Sequence, residues 1–224
     1  ATDFFSRTPF SRLDEHPDQV FYSLPRLIDH LDRVALGEVS DLYGRLLPKG
    51  GRILDLMSSI NSHLPASLAP ASVTGLGLNE EELAANPVLS ESLVQDLNRH
   101  PELPFPDRHF DAVVCTVSVE YLTRPREVFA EAARVLRPGG VFVASFSNRW
   151  FPPKVVNIWP NLHEFERVGL VLEYFTQSGG FEAMETYSVR GQMRPEDDHH
   201  IRYSLFSDPI YAVWGYRSRS EMNQ

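Results

Sequence analysis

From Gly51 onward the chain alternates two kinds of segment, and this alternation constrains its fold more than any other feature. The runs "GRILDLM", "SVTGLGL", "ESLVQDL", "FDAVVCTV" and "GVFVASFS" are short, apolar and rich in β-branched residues, with no clean period of two. Strands covered on both faces of a parallel sheet read this way, because neither face meets water. Between them lie segments of helical periodicity. The clearest is "TRPREVFAEAARVLRPGG", where Val128, Ala132, Val135 and Leu136 keep i, i+4, i+7, i+8 spacing. Pro125 falls in its first turn, where a missing N–H costs little, and Gly139 is expected to stop it. "NEEELAAN" predicts a shorter helix with Asn79 as its N-cap.

Strands alternating with helices imply right-handed crossovers and a doubly wound α/β sheet. A further helix is expected over roughly Asn161 to Gln177, closed by Gly179-Gly180. The last two apolar runs, "FEAMETYSVR" and "DPIYAVWGYR", are joined by "GQMRPEDDHHIRYSLFS", which holds no crossover helix. They predict an antiparallel hairpin that completes a seven-stranded sheet. Residues 1–49 read as a helical extension or lid ahead of a single domain over 50–224, since "FYSLPRLIDHLDRVALGEVSDLYGRLL" places apolar residues at helical spacing.

Composition narrows the function classes. The formal net charge of −9 and the lack of any basic run argue against a nucleic-acid surface. No apolar stretch approaches the roughly 18 residues of a membrane span, so neither a signal peptide nor a membrane segment is expected. The single cysteine, Cys115, lies in an apolar run, reads as a small buried hydrophobe, and fits a reducing, cytoplasmic setting. The first residue is Ala, which leaves a trimmed N-terminus open, and nothing in the chain fixes an oligomeric state.

The order of elements, and above all "LPFPDRHFDAVVCTVSVEYLTRPREVFAEAARVLRPGGVFVASFS", resembles the class I S-adenosylmethionine-dependent methyltransferases, in particular the small-molecule group called type 11. The resemblance spans about Gly50 to Arg217 and implies a Rossmann-like sheet, S-adenosylmethionine as cofactor and a small-molecule acceptor. It places the cofactor on the loop after strand one (Asp55, Leu56, Met57, Ser58, Ser59), at the end of strand two (Gly77, Leu78, Asn79), after strand three (Asp96, Leu97, Asn98) and at Val117.

The family pattern is only half present. Asp55 and Asp96 match its acids, but Met57-Ser58-Ser59 stand where glycines are usual, and Gly77 stands where an acid usually holds the ribose. Glycine serves such loops through positive φ and close backbone approach. The cofactor has no pyrophosphate, so small polar Ser58 and Ser59 can serve its amino-acid end, with its carboxylate near a helix N-terminus, and Asn79 or Glu82 can replace part of the ribose acid.

Methyl transfer requires positioning and exclusion of water, with a base only where the acceptor must lose a proton. The catalytic candidates are His63 and Tyr121, and the substrate candidates are Tyr22, Arg26, Glu120 and Asn148. Tyr22, Arg26 and His30 fall at i, i+4, i+8 of the N-terminal segment, although Pro25 can delay that helix. Each also has a plainer reading: Tyr121 as packing, Glu120 as a solvated acid, His63 as a capping residue, Arg26 as a surface cation. No metal site is expected, since the adjacent residues of "PEDDHH" rarely converge on one ion. Two alternatives stand beside the transferase: a relative that keeps the fold and ligand without transfer, and a nicotinamide oxidoreductase. The latter is opposed by the absence of G-x-G-x-x-G after strand one.

Overall fold

The computed structural model describes residues 9–219. Seven strands form one sheet in the order β3-β2-β1-β4-β5-β7-β6. They are β1 (Arg52–Leu56), β2 (Ser72–Gly77), β3 (Glu91–Val94), β4 (Phe110–Thr116), β5 (Leu136–Phe146), β6 (Phe181–Val189) and β7 (Ile210–Arg217). The first five are mutually parallel; β7 runs antiparallel between β5 and β6. The expected seven-stranded α/β sheet and closing hairpin are both present.

The missing period of two has its physical cause in the core. Leu54, Leu56, Val113, Cys115, Phe142 and Ala144 pack on one face under helices α4 (Pro125–Val135) and α5 (Glu164–Ser178). Their alternate neighbours Ile53, Ala112, Val114, Val141 and Val143 pack on the other, under α2 (Arg33–Leu46). Both faces are covered, so both sets must be apolar. Cys115 is buried, as its apolar run implied. The edge strand β3 differs: it has only one neighbouring strand and is largely exposed.

Helix boundaries follow local chemistry. Asn79 caps α3 (Glu80–Ala85) by accepting from the backbone N–H groups of Glu81 and Glu82. α5 begins at Glu164, three residues later than its periodicity suggests, and ends on Gly179 at φ 71°. α4 ends at Val135, before Gly139; that glycine (φ 81°) instead turns the chain within β5, and Leu136 belongs to the strand.

The N-terminal segment departs most from expectation. Only α1 (Asp18–Phe21) and α2 are helical there, so no helix carries Tyr22, Arg26 and His30 on one face. Pro25 withholds an N–H and disfavours helical backbone at Leu24. α2 starts instead at Asp32, whose side chain accepts from Val34 and Ala35 N–H groups. Val39, Leu42 and Tyr43 of α2 are fully or nearly fully buried against the sheet, so this part of the extension is core and only the stretch before it is a strap.

Candidate active site

Strand order reverses between β1 and β4, and a cleft opens there at the carboxyl ends of the strands, where open α/β sheets bind ligands. It encloses about 1170 Å³, its open mouth included. Asp55, Met57, Ser58, Ser59, Gly77, Leu78, Asn79, Asp96, Leu97, Asn98 and Val117 all line it, as do His63, Tyr121, Tyr22 and Arg26. His30 lines it as well, so the strap delivers through irregular turns and bends the three residues assigned to a helical face.

Three of the assigned residues lie outside the cleft. Leu56 is in the core under β1 and does not reach the cleft. Glu120 is fully buried behind the site, with neither carboxylate oxygen hydrogen-bonded, and burial pushes its carboxyl up to about 8. It turns inward because Val119, Glu120 and Tyr121 form a 3₁₀ turn whose side chains all pack into the core. Asn148 faces a separate shallow depression, donating to Glu164 (2.7 Å) and accepting from Arg167 (3.0 Å).

The loop after β1 explains two departures at once. Met57 has φ 56°, the left-handed region that favours glycine, so a methionine holds the conformation for which the family uses glycine. The loop then lies against the end of β2: Ser58 N–H donates to the Leu76 carbonyl at 2.9 Å. A Cβ on Gly77 would sit 2.3 Å from the Ser58 carbonyl oxygen. The loop backbone therefore fills the space that a side chain at Gly77 would need. No α-helix begins after this loop, only a 3₁₀ turn at Ala66–Leu68, so the expected helix N-terminus for a ligand carboxylate is not there.

Its serines are committed to carboxylates. Ser58 and Ser62 hydroxyls both donate to one oxygen of Asp55 at 2.6 Å. Burial pushes the Asp55 carboxyl up to about 6 against the pull of these two bonds. Ser59 donates to Glu82 at 2.7 Å, and the other Glu82 oxygen accepts the Arg26 backbone N–H at 2.7 Å. The Asn79 side-chain amide donates to the carbonyls of Tyr22 and Ser23, so the strap is tied to α3 at several points.

The remaining walls are equally defined. Asp96 is buried and its carboxyl raised, first by burial and then by the charge of Asp18. Asn98 is a holding residue: it donates to Asp18 and to the Tyr121 carbonyl and accepts from Thr123. Asp18 in turn pairs with Arg12 (2.8 Å) and Lys154 (3.2 Å). Tyr121 accepts the Phe151 N–H at its hydroxyl (2.9 Å), and burial holds that phenol well above its usual range. His63 (φ 54°) and Val117 (φ 48°) are further non-glycine residues in the left-handed region, a strain that clusters at functional sites. Burial lowers the His63 imidazole below its ordinary value, favouring the neutral ring.

Sequence reasoning missed Asp18, Gln95, Thr116 and Phe151, all on the cleft wall. Gln95, Thr116 and Phe151 sit at or just after strand ends and were reachable by extending the strand-end rule, whereas Asp18 arrives from a distant segment without a motif. In the β6–β7 loop, Asp198, His199 and His200 do bring one ligand atom each within 4.8 Å of one another, against the expectation from adjacency. Asp198 already pairs with Arg194 at 3.2 Å.

Comparison with known proteins agrees with this geometry. A family model described as a methyltransferase domain matches residues 58–144. The ubiquinone/menaquinone biosynthesis C-methyltransferase UbiE of Burkholderia mallei is 32% identical over 117 residues, 47% of this chain and 47% of that protein. The chain thus spans about half the length of the curated relatives it matches. A chain from the complex of the Haloferax volcanii Trm112 methyltransferase activator with a methyltransferase superposes with TM-score 0.59 at 19% identity, covering 84% of this chain and 92% of that one. An S-adenosylmethionine-dependent methyltransferase of Thermotoga maritima gives 0.59 at 15% identity over 83% and 91%. The [4+2]-cyclase SpnF gives 0.55 at 19% over 82% and 81%. The matched methyltransferase domain implies S-adenosylmethionine as cofactor.

Proposed function

We propose that this chain is a class I S-adenosylmethionine-dependent methyltransferase that transfers a methyl group to a small-molecule acceptor held under the N-terminal strap. One observation carries the reading: Asp55, Glu82 and Asp96 converge on a single enclosed cleft at the switch point of the sheet. S-adenosylmethionine presents ribose hydroxyls, an adenine amino group and an ammonium, all donors, and three carboxylates fit that set. Glu82 takes the place of the ribose acid excluded at Gly77, Asp96 faces the adenine, and Asp55 with Ser58 faces the amino-acid end.

When bound, the cofactor supplies a methyl group activated by a sulfonium. The protein's own residues position and shield. The strap, fixed by the Arg26–Glu82 and Asn79–Tyr22 hydrogen bonds, closes the cleft and excludes water. Tyr121 accepts from Phe151, so its own proton is free to orient an acceptor oxygen or nitrogen. Tyr121 stays protonated and is no base; neutral His63 serves where the acceptor must lose a proton. A cytoplasmic setting belongs to the same reading, supported by the lone thiol of Cys115.

A second reading, cofactor binding without transfer, is favoured by the rebuilt loop at Ser58 and Gly77, and fold alone does not decide between them. Calorimetric titration with S-adenosylmethionine and S-adenosylhomocysteine tests both. Binding in the micromolar range, weakened about tenfold or more by Asp96→Asn or Glu82→Gln, supports the site. Absence of binding at about millimolar ligand refutes it. Binding without turnover across an acceptor screen supports the second reading.

A further inference from the structure

Among the described residues lining the cleft, Arg26 is the one Lys or Arg, and it has no ion-pair partner. Its neighbour Glu82 accepts the Arg26 backbone N–H and not its guanidinium. One terminal nitrogen, Nη2, donates to the Phe21 carbonyl at 3.2 Å; the other, Nη1, is shielded from solvent with no hydrogen-bond partner. The guanidinium lies 4.7 Å from the centroid of Phe21, 5.4 Å from that of Tyr22 and 5.1 Å from that of Phe151. Three rings thus hold a cation whose charge is unmatched, in a chain of net charge −9 that had carboxylates to spare. Leaving a shielded donor unpaired is costly, and such a cost is recovered when a ligand supplies the acceptor.

The position of these rings selects the ligand. Phe151 follows β5, and its ring stacks on Tyr121, which follows β4, at 6.1 Å and 27°. Tyr121 and Phe151 also line a second chamber that continues from the cleft past His30 and Val117 to Arg149. The carboxylates assigned above to the cofactor lie on the β1–β3 side. Arg26 reaches from that side to the wall of β4 and β5, where an acceptor must approach the methyl group.

Building on the methyl-transfer reading, we propose that the acceptor is a planar molecule bearing a carboxylate or comparable anionic group, which Arg26 binds while the rings of Tyr22, Tyr121 and Phe151 flank its plane. A small rotation of the Arg26 side chain on its flexible stem brings Nη1 to the anion. Guanidinium suits this role because its planar fork binds a carboxylate and stacks on aromatic faces together.

The test compares benzoate with its neutral isostere benzamide, by titration calorimetry on the full chain, with and without saturating S-adenosylhomocysteine. Charge-assisted hydrogen bonding leads to benzoate binding at least about tenfold more tightly than benzamide, a preference lost in Arg26→Gln while S-adenosylhomocysteine affinity changes less than about threefold. Equal binding of the two probes overturns the proposal. So does a loss of about tenfold or more in S-adenosylhomocysteine affinity in Arg26→Gln, which assigns the anion slot to the cofactor's own carboxylate. Should Arg26→Gln fail to fold, Arg26→Lys carries the test: the charge stays, the fork is lost, and the benzoate preference must fall by about threefold or more. Failure of S-adenosylhomocysteine to bind the unaltered chain refutes the transferase reading alone; the cofactor-free comparison of the two probes still decides the anion site.

Discussion

Restoring the family's acid at the end of β2 should damage this protein. A Cβ at Gly77 would lie 2.3 Å from the Ser58 carbonyl oxygen and 3.1 Å from Leu83 Cδ2. Carbon approaches a carbonyl oxygen no closer than about 3.3 Å in ordinary contacts, so the loop must retreat by about 1 Å. The obstacle is backbone, and no rotamer change relieves it. Retreat strains or breaks the Ser58 N–H to Leu76 carbonyl bond of 2.9 Å. Overpacking of this kind costs about 1–3 kcal/mol, and a lost hydrogen bond adds about 1 kcal/mol. Gly77→Asp and Gly77→Ala should therefore lose about 2–4 kcal/mol, which for a chain of this size lowers Tm by roughly 5–15 °C.

The same retreat moves Ser58 and Ser59, which hold Asp55 and Glu82, so S-adenosylhomocysteine should bind about tenfold or more weakly to Gly77→Asp. Gly75→Ala is the comparison on the same strand, since its Cβ would press on the Leu89 side chain (Cδ1 at 2.5 Å, Cγ at 3.3 Å), which can shift, and not on backbone. It should cost less than Gly77→Ala, within the lower part of the roughly 1–3 kcal/mol range of overpacking, and leave S-adenosylhomocysteine affinity unchanged. Differential scanning calorimetry and ligand titration read both quantities. A Gly77→Asp protein with unchanged Tm and tighter cofactor binding would refute the argument that the loop occupies the acid's place.

Glu120→Gln should change the pH dependence of stability. The folded carboxyl, at about 8, lies above its ordinary value of 4.5, so the folded state holds the proton more tightly. Its stability is then fully present below about 4.5 and lost as pH rises through about 8. Thermal scans at two pH values straddling neutrality should show the unaltered chain losing Tm toward alkaline pH and Glu120→Gln losing less; parallel profiles would count against a neutral Glu120. Asp32→Ala removes the α2 cap and the acceptor for Ser207 and for the Asp208 N–H. A loss of at least about 2 kcal/mol in chemical denaturation is expected, and less than half of that would show the hub to be redundant. Glu82→Gln should release the strap as well as weaken the cofactor, because the Arg26 N–H loses an ionised acceptor. Amide exchange over Tyr22–Ile28 should then accelerate, and unchanged exchange would mean that Glu82 does not tether it.

The sheet was legible because it obeys a rule that operates residue by residue. A strand covered on both faces needs apolar side chains at every position, and Ile53–Leu54 and Val113–Val114 show this in any context. Asp55 and Asp96 were legible as acids that interrupt or follow a strand: Asp55 lies within β1 next to its end, and Asp96 two residues after β3. The misreadings share a different cause. Arg26 and Tyr22 keep helical spacing, yet Pro25 denies the helix, and their convergence on the cleft depends on Glu82 and Asn79, more than fifty residues away. Glu120 looks like a solvated acid in sequence, and only the 3₁₀ turn at Val119–Tyr121 aims it inward. The most instructive case is the pair of departures at Met57-Ser58-Ser59 and Gly77. Read along the chain they are two losses, a glycine turn and a ribose acid. In space they meet, since the Ser58 carbonyl stands where a Cβ at Gly77 would be, and Ser59 on that same loop holds Glu82 at the cleft wall. A contact between two backbones leaves no signature in side-chain identity beyond the glycine itself. A motif judged by matching positions one at a time therefore counts two independent departures, whereas in space the two positions are in contact.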